Sequence, residues 1–495
     1  MLLDFKKGIS YNEFKDISKV KIRIKKGGIA MNCKVKKIIS IAVAAAAAVS
    51  LLGGCGAGGQ NNKDDDGKTK ISIWGWPDKN ANPEGYESKE AKRVRFMELN
   101  PDIDVRGDQY EFAIDSFSPK AEGGTLPTLY NTFLTEIKNI GKMGYAKPLT
   151  QMLKDNGYYD MYNDSLIDMV SYEGEIYGVL KNVYTMGLVV NLDLFEKAGL
   201  MNEDGSPMVP ETFDDVERFA KIIKEKTGVA GYVQATTSNV GGWTFMPLAW
   251  SYGTKFMKEN NGKWEATFNS PECKSALEYL KKLKWEDKVM PNETLLDSNG
   301  VLRLISTGQA AMTIMHPDSA LILRTNGMDI NKIGMFKIPA GPVRRVTLMG
   351  GGVEAVAANA DDAQANACLK WMAFNGYSPN LTDEQKANIE NDYKRKVSQG
   401  DLVGIKDLSI WNDKSDTEKY TNEMIDKYCN VDPSHVASYN DKSGVEYRAE
   451  EPKNAQELYS TLDRCIQEVL NNENADCGEV LKKAAKDFQN DYLNN

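Results

Sequence analysis

Aromatic rings stand next to hydrogen-bonding side chains at several points of this 495-residue chain. Trp74 and Trp76 close the β-rich run Ile71-Ser72-Ile73-Trp74-Gly75-Trp76, and Asp78 and Lys79 follow in the loop beyond. Ring faces cover apolar C–H surface, while carboxylates, amides and ammonium groups serve a rim of hydroxyls. Charged partners make the stronger hydrogen bonds. The combination suits a small polar molecule with apolar faces, and a sugar is one. Open α/β sheets gather ligands at the carboxyl ends of their strands, which is where Trp76, Asp78 and Lys79 fall. Trp74 is balanced between ligand contact and core. Trp411 stands isolated in a polar stretch, either as a cap over a cleft or as an anchor for that stretch.

Other chemistries find little support. The chain has two histidines, His316 and His435, and shows no histidine-based triad motif and no zinc motif. There is no Gly-rich phosphate loop and no CxxC pair, and no two carboxylates are convincingly matched as a glycoside hydrolase would need. The expectation is a binding protein with no catalytic residues, no metal and no cofactor. A secreted glycoside-acting enzyme, or a binder of a non-sugar polar solute, is the alternative.

The elements that must carry these side chains are legible in outline. The first run reads as a strand, 77–85 as the loop leaving it, 87–99 as a helix stopped by Asn100-Pro101, and Ile103 with Val105 as the next strand. That order opens a βαβ unit with a parallel sheet. Thr212-Phe213-Asp214-Asp215 and Ser270-Pro271 are helix starts. Ala276, Leu277, Leu280 and Leu283 recur at helical spacing, as do Leu458, Leu462, Ile466 and Leu470. Residues 376–450 are charged and read as an irregular, partly helical insertion.

From Met31 onward the chain reads as a targeting segment, with Lys34, Lys36 and Lys37, an apolar run over 38–52, and small residues before a cysteine. Leu52-Gly53-Gly54-Cys55 resembles the bacterial lipobox, which implies cleavage before Cys55 and lipidation of its thiol. Residues 31–54 are then a lipoprotein signal peptide, and 55–67, polar and Gly-rich, a flexible tether. Residues 1–30 fit no part of this plan and are expected to be an untranslated upstream extension. Past residue 54 the chain carries 50 basic and 67 acidic residues, a net charge of −17, which argues against a nucleic-acid partner. Cys273, Cys368, Cys429, Cys465 and Cys477 are odd in number and widely spaced, and most read as buried small hydrophobes.

Glu175-Ile176-Tyr177-Gly178-Val179, followed by Val189-Val190-Asn191-Leu192-Asp193-Leu194-Phe195-Glu196-Lys197-Ala198-Gly199-Leu200, resembles the signature of the family 1 extracellular solute-binding proteins, the maltose-binding-protein-like group. Pro210-Glu211-Thr212-Phe213, Phe268-Asn269-Ser270-Pro271-Glu272, Gly308-Gln309-Ala310-Ala311-Met312 and Lys337-Ile338-Pro339-Ala340-Gly341-Pro342 follow in the family's order. The resemblance implies an α/β fold of two lobes joined by a hinge, with solute in the interlobe cleft. It places one lobe at 68–181 plus 340–375 and the other at 182–339 plus 376–495. It also implies a lipid-anchored monomer on the outer face of the cytoplasmic membrane, which captures a carbohydrate and delivers it to the permease subunits of an ABC importer. By the same resemblance, Asp78-Lys79 matches a pair that reaches sugar hydroxyls and Tyr184 stands where a relative has a carboxylate. Trp243 falls at a stacking aromatic, and His316 and Asp318 lie where a cleft tryptophan is common. Gly351 and Gly352 belong to a Gly-rich segment beside the cleft. Asn131 and Thr132 complete the candidate ligand-binding set.

Overall fold

The computed structural model describes residues 67–494. The upstream segment 1–30, the signal segment 31–54, Cys55 and the tether as far as residue 66 lie outside the described residues.

Strand β1 (Thr69–Ile73) buries Ile71 and Ile73 on one face, as its alternation predicts. The helix after it, Pro83–Leu99, starts four residues before the expected 87. Asn82 Oδ1 accepts the Gly85 N–H at 3.0 Å, and Pro83 occupies the first helical position, where its missing N–H costs nothing. Phe96 is the one residue this helix buries, so its apolar periodicity is too weak to reveal the first turn. β2 (Ile103–Gly107) returns parallel to β1, with Ile71 opposite Val105, and completes the expected βαβ unit.

β3 (Leu129–Phe133) lies parallel to β1. The hairpin β4 (Ser171–Tyr172) and β5 (Glu175–Ile176) leads to β6 (Val179–Thr185), which leaves the first lobe. The second lobe is built on β7 (Gly187–Asn191) and β8 (Ala230–Tyr232), then the hairpin β9 (Met257–Asn260) and β10 (Lys263–Ala266), then β11 (Ala310–Met315) and β12 (Ile333–Phe336). Its sheet runs β12-β7-β11-β8, with β7 antiparallel to both neighbours. Helix Phe213–Thr227 opens with a reciprocal capping box, Thr212 and Asp215 exchanging bonds of 3.1 Å in both directions. Ser270 caps helix Pro271–Trp285 through the Cys273 N–H.

β13 (Val346–Val356) then ties the lobes together. Val346 and Leu348 sit in the second lobe's core, Val353 and Ala355 in the first lobe's. It pairs antiparallel with β6 and β3, and parallel with β14 (Glu446–Ala449), in a six-stranded sheet. The charged stretch 376–450 has as its two longest helices Asp383–Ser398 and Asp416–Tyr428, and does not belong wholly to the second lobe. Leu408 and Trp411 enter the first lobe's core, while Val436 and Tyr439 pack in the second and Leu402 and Ile405 rest on it. Among the described residues no helix is long and apolar enough to cross a membrane. Cys273, Cys368, Cys465 and Cys477 are buried free thiols and Cys429 is half-buried.

Candidate functional site

The site is organised by the antiparallel pairing of β6 with β13. Gly350 lies opposite Tyr184, Gly351 opposite Val183 and Gly352 opposite Asn182. The Tyr184 ring lies across Gly350 so closely that a Cβ there would collide with its Oη and Cζ, so only glycine admits the ring. Between Gly352 and Val353 the register slips, leaving Lys181 as an extra residue on β6. Such a bulge re-aims a side chain. The Lys181 ammonium stands 5.1 Å from the Trp74 ring centroid and 5.9 Å from that of Tyr377.

Three half-buried rings from distant segments converge on the second-lobe side. Tyr184 lies 6.2 Å from Trp243 and 6.3 Å from His316, and Trp243 lies 5.9 Å from His316, all steeply inclined. Trp243 stands in the first turns of helix Val240–Ser251, which lacks a cap of its own. The helix start is held instead by Asp463, from helix Ala455–Asn471, whose two oxygens accept the N–H groups of Asn239 and Gly242, each at 2.7 Å. That carboxylate positions Trp243. His316 follows β11, and burial holds its imidazole below the ordinary histidine range against the pull of Asp318, whose Oδ2 is 3.9 Å from Nδ1. Burial thus favours the neutral ring, which has a donor and an acceptor to offer. Burial pushes the Tyr184 phenol up to about 12, and the adjacent Glu450 carboxyl is itself raised by burial.

A second group gathers on the first-lobe side. The Trp74 indole donates to Glu354 Oε1 at 3.1 Å, and Lys89 Nζ stands 5.4 Å from the Trp74 ring centroid. Glu354 lies on β13, buried, and burial raises its carboxyl while Lys181, Trp74 and Lys89 pull it down. Opposite Glu354, Asn131 accepts the Phe112 N–H at 3.2 Å and donates to Glu111 at 3.1 Å. Opposite Gly352, Phe133 is 51% exposed and meets Phe112 edge-on at 5.0 Å, so an open aromatic surface lies beside the glycines. Among the described residues no group of His, Cys, Asp and Glu is arranged to hold a metal ion.

The structure thus gathers Tyr184, Trp243 and His316 at Gly350, with exposed Asp318 next to His316, and sets Asn131 in the second group; Gly351 and Gly352 follow Gly350 along β13, opposite Val183 and Asn182. Other expected residues stand elsewhere. Trp76 is turned into the first lobe's core, 6% exposed, beside Trp371 at 6.3 Å, with its N–H given to Glu90 at 3.0 Å. β1 ends at Ile73 and Gly75 adopts φ 68°, so the strand alternation that would have aimed Trp76 outward is broken. Thr132 is buried on the face of β3 opposite Asn131, its hydroxyl without a hydrogen-bond partner. Trp411 is the anchor and not a cap: it is buried, 4.9 Å from the Tyr162 ring, in a bridge with Tyr162. Asp78 and Lys79 occupy an exposed turn. Asp78 Oδ1 accepts the N–H groups of Asn80 and Ala81, which hold its carboxyl below the usual range, and Lys79 faces Glu87 at 3.8 Å. Lys89, Lys181 and Glu354 escaped the sequence reading. The signal for Glu354 was a carboxylate inside the strand Gly352-Val353-Glu354-Ala355-Val356, and for Lys181 a polar pair interrupting β6.

The profile of a family described as bacterial extracellular solute-binding protein matches residues 80–378, more than half of the chain. The chain belongs to that family. Among curated relatives of this solute-binding protein, the polygalacturonan/rhamnogalacturonan-binding protein YtcQ of Bacillus subtilis is 22% identical over 327 residues, 61% of this chain and 62% of that one. A lactose-binding protein of Rhizobium radiobacter is 26% identical over 251 residues, 50% of this chain and 55% of its own. The chain therefore spans less than two thirds of the length of these relatives. Solved structures match it more completely. Maltose-bound MalE3 of T. maritima superposes with a TM-score of 0.57 at 19% identity, over 85% of this chain and 99% of that chain. Lmo0181 of Listeria monocytogenes, in complex with cycloalternan, gives 0.57 at 19% over 86% and 99%. These likenesses establish the two-lobed fold of this solute-binding protein.

Proposed function

We infer that this solute-binding protein captures an oligosaccharide in its interlobe cleft and hands it to the permease of an ABC importer. One arrangement carries the reading. The rings of Tyr184, Trp243 and His316 and the polar group of Trp74, Glu354, Lys89 and Lys181 flank the same strand, β13, at Gly350 and Glu354. Four residues of strand span ~13 Å, which is longer than one pyranose ring. Aromatic faces at one end with charged hydrogen-bonding groups at the other suit a chain of hydroxylated rings. The names of YtcQ, the lactose-binding protein and maltose-bound MalE3 point to the same ligand class. The working set is Tyr184, Trp243, His316, Asp318, Asn131 and the backbone of Gly351 and Gly352, joined by Trp74, Lys89, Lys181 and Glu354, with Asp78 and Lys79 as outer contacts made on closure. No covalent step is assigned to these residues.

The test is a screen of intrinsic tryptophan fluorescence against mono- and oligosaccharides, since Trp74 and Trp243 both stand in the set. Saturable changes with saccharides and none with peptides or polyamines are expected; the opposite pattern would overturn the reading. On the same reading the chain acts as a monomer, held to the outer face of the membrane by a lipid on Cys55 after removal of the signal segment. Cys55→Ser should release or mislocalise it in cells whose other lipoproteins are processed normally, and full membrane retention of that variant would refute the anchor.

A further inference from the structure

A cavity of about 360 Å³ lies behind the Lys181 bulge, between the insertion and the first lobe. Its size is within the ~300–1,000 Å³ of ordinary small-molecule pockets. Its walls come from β6 through Lys181, from the turn after helix Asp362–Phe374 through Tyr377, and from helix Asp383–Ser398 through Tyr393 and Lys396. Helix Asp416–Tyr428 adds Glu418 and Asn422. Lys181 and Tyr377 also border the site described above: Lys181 stands over Trp74, and the Tyr377 phenol feels the charge of Glu354. The cavity and the cleft therefore share a wall.

Polar groups on this wall keep hydrogen-bonding capacity for a solute. Among the described residues, the hydroxyls of Tyr377 and Tyr393 accept or donate no hydrogen bond, and the Lys181 ammonium has ring faces near it but no ion pair. Both tyrosines are half-buried, and each phenol can donate and accept a hydrogen bond with a solute in the cavity. Elsewhere the lining is mixed in sign, with Lys396 close to Asp392 and Glu418 receiving the Asn422 amide at 2.6 Å. A balanced rim with two phenol rings suits a neutral polyhydroxylated unit better than an ion.

We propose that this cavity is an additional subsite, built by the insertion, which receives the distal unit of the bound oligosaccharide and so selects for chain length. The inference rests on the carbohydrate reading, and its test separates the two. Calorimetric titration with malto-oligosaccharides and oligogalacturonides of one to six units should show the wild-type affinity rising with length until the distal unit reaches Tyr393. Tyr393→Ala should weaken the longest binding member roughly tenfold and leave the shortest unchanged; Tyr393→Phe, which keeps the ring, should cost the longest about threefold. If saccharides bind with one affinity at every length, or if both variants shift all lengths alike or none, the subsite is refuted while the cleft stands. Should Tyr393→Ala fail to fold, the phenylalanine variant decides alone. Failure of every saccharide to bind would remove the carbohydrate reading and this inference with it.

Discussion

Glu451 offers the sharpest test of the electrostatics around the site. Its Oε1 accepts the indole N–H of Trp250 at 3.1 Å behind the Trp243 helix, and burial pushes its carboxyl from the ordinary 4.5 up to about 7, with Trp250 and Arg448 opposing the rise. A carboxyl whose folded value is raised binds its proton more tightly in the native state than in the unfolded chain. Its favourable contribution is therefore fully present below about pH 4.5 and is lost as pH climbs to about 7. At ~1.4 kcal/mol per pH unit, the loss between pH 5 and pH 8 is roughly 2–3 kcal/mol. Glu451→Gln keeps an oxygen for the Trp250 N–H and cannot ionise, so it should be nearly neutral at pH 5 and more stable than wild type by that amount at pH 8. Urea unfolding of both proteins at the two pH values measures the difference of differences, provided the m-values agree. An advantage of the same size at both pH values, or a variant less stable at pH 8, would refute the reasoning.

Trp243→Ala removes a half-buried indole that touches Tyr184 and His316. It should weaken saccharide binding by ~1–3 kcal/mol, about ten- to a hundredfold, and destabilise the fold by less than the ~3–5 kcal/mol of a fully buried tryptophan. A large fall in melting temperature with unchanged affinity in the folded fraction would place Trp243 in the core instead. Trp411→Ala should do the reverse, costing ~3–5 kcal/mol in thermal or urea unfolding with affinity for the shortest saccharides unchanged, because its ring is packed against Tyr158 and Tyr162 and borders the cavity beside Lys181; a selective loss of affinity for the shortest saccharides would restore the cap.

Local rules made much of the fold legible. The strand alternation of Ile71 and Ile73, the Thr212 and Ser270 caps, and the helical spacing of Leu458, Leu462, Ile466 and Leu470 all appear in the structure, because each is decided by neighbours within a turn or a strand. The site was partly legible for a different reason: Tyr184, Trp243 and His316 could be nominated by family resemblance, but their convergence depends on a β6–β13 pairing that joins residues 164 or more positions apart. Where one backbone angle intervened, the reading failed. Gly75 at φ 68° turns Trp76 into the core, away from the face alternation assigns it, and periodicity cannot foresee that. The bulge at Lys181 likewise follows from how two strands meet, and strand registry is a tertiary property. Residues 376–450 were hard to assign because their apolar residues are divided between two cores, so that neither face forms a continuous stripe.

The position of the two groups along β13 bears on how binding and closure are joined. A ligand can shift an open–closed equilibrium only through contacts that differ between the two states. Trp243 and His316 belong to the second lobe, Trp74, Lys89 and Phe133 to the first, so a solute held by one wall gains the other wall's contacts only when the lobes approach. Tyr184, Lys181 and Glu354 lie on the two strands that cross between the lobes and stay in reach of a solute throughout. The glycines at 350–352 leave that crossing almost free of side chains, and the Tyr184 ring fills the space they vacate. The insertion works at the same crossing. The Tyr439 hydroxyl is 2.8 Å from Thr185 Oγ1, at the end of β6, and donates to Asp407 at 2.9 Å, while residues on either side of Asp407 belong to different cores. The 402–411 segment is thus tied through Asp407 and Tyr439 to the end of β6, and it forms one wall of the cavity beside Lys181. If the proposed subsite receives a solute, a molecule long enough to touch the insertion should stabilise the closed state through contacts that a shorter one lacks, and length selection and closure would then draw on the same crossing.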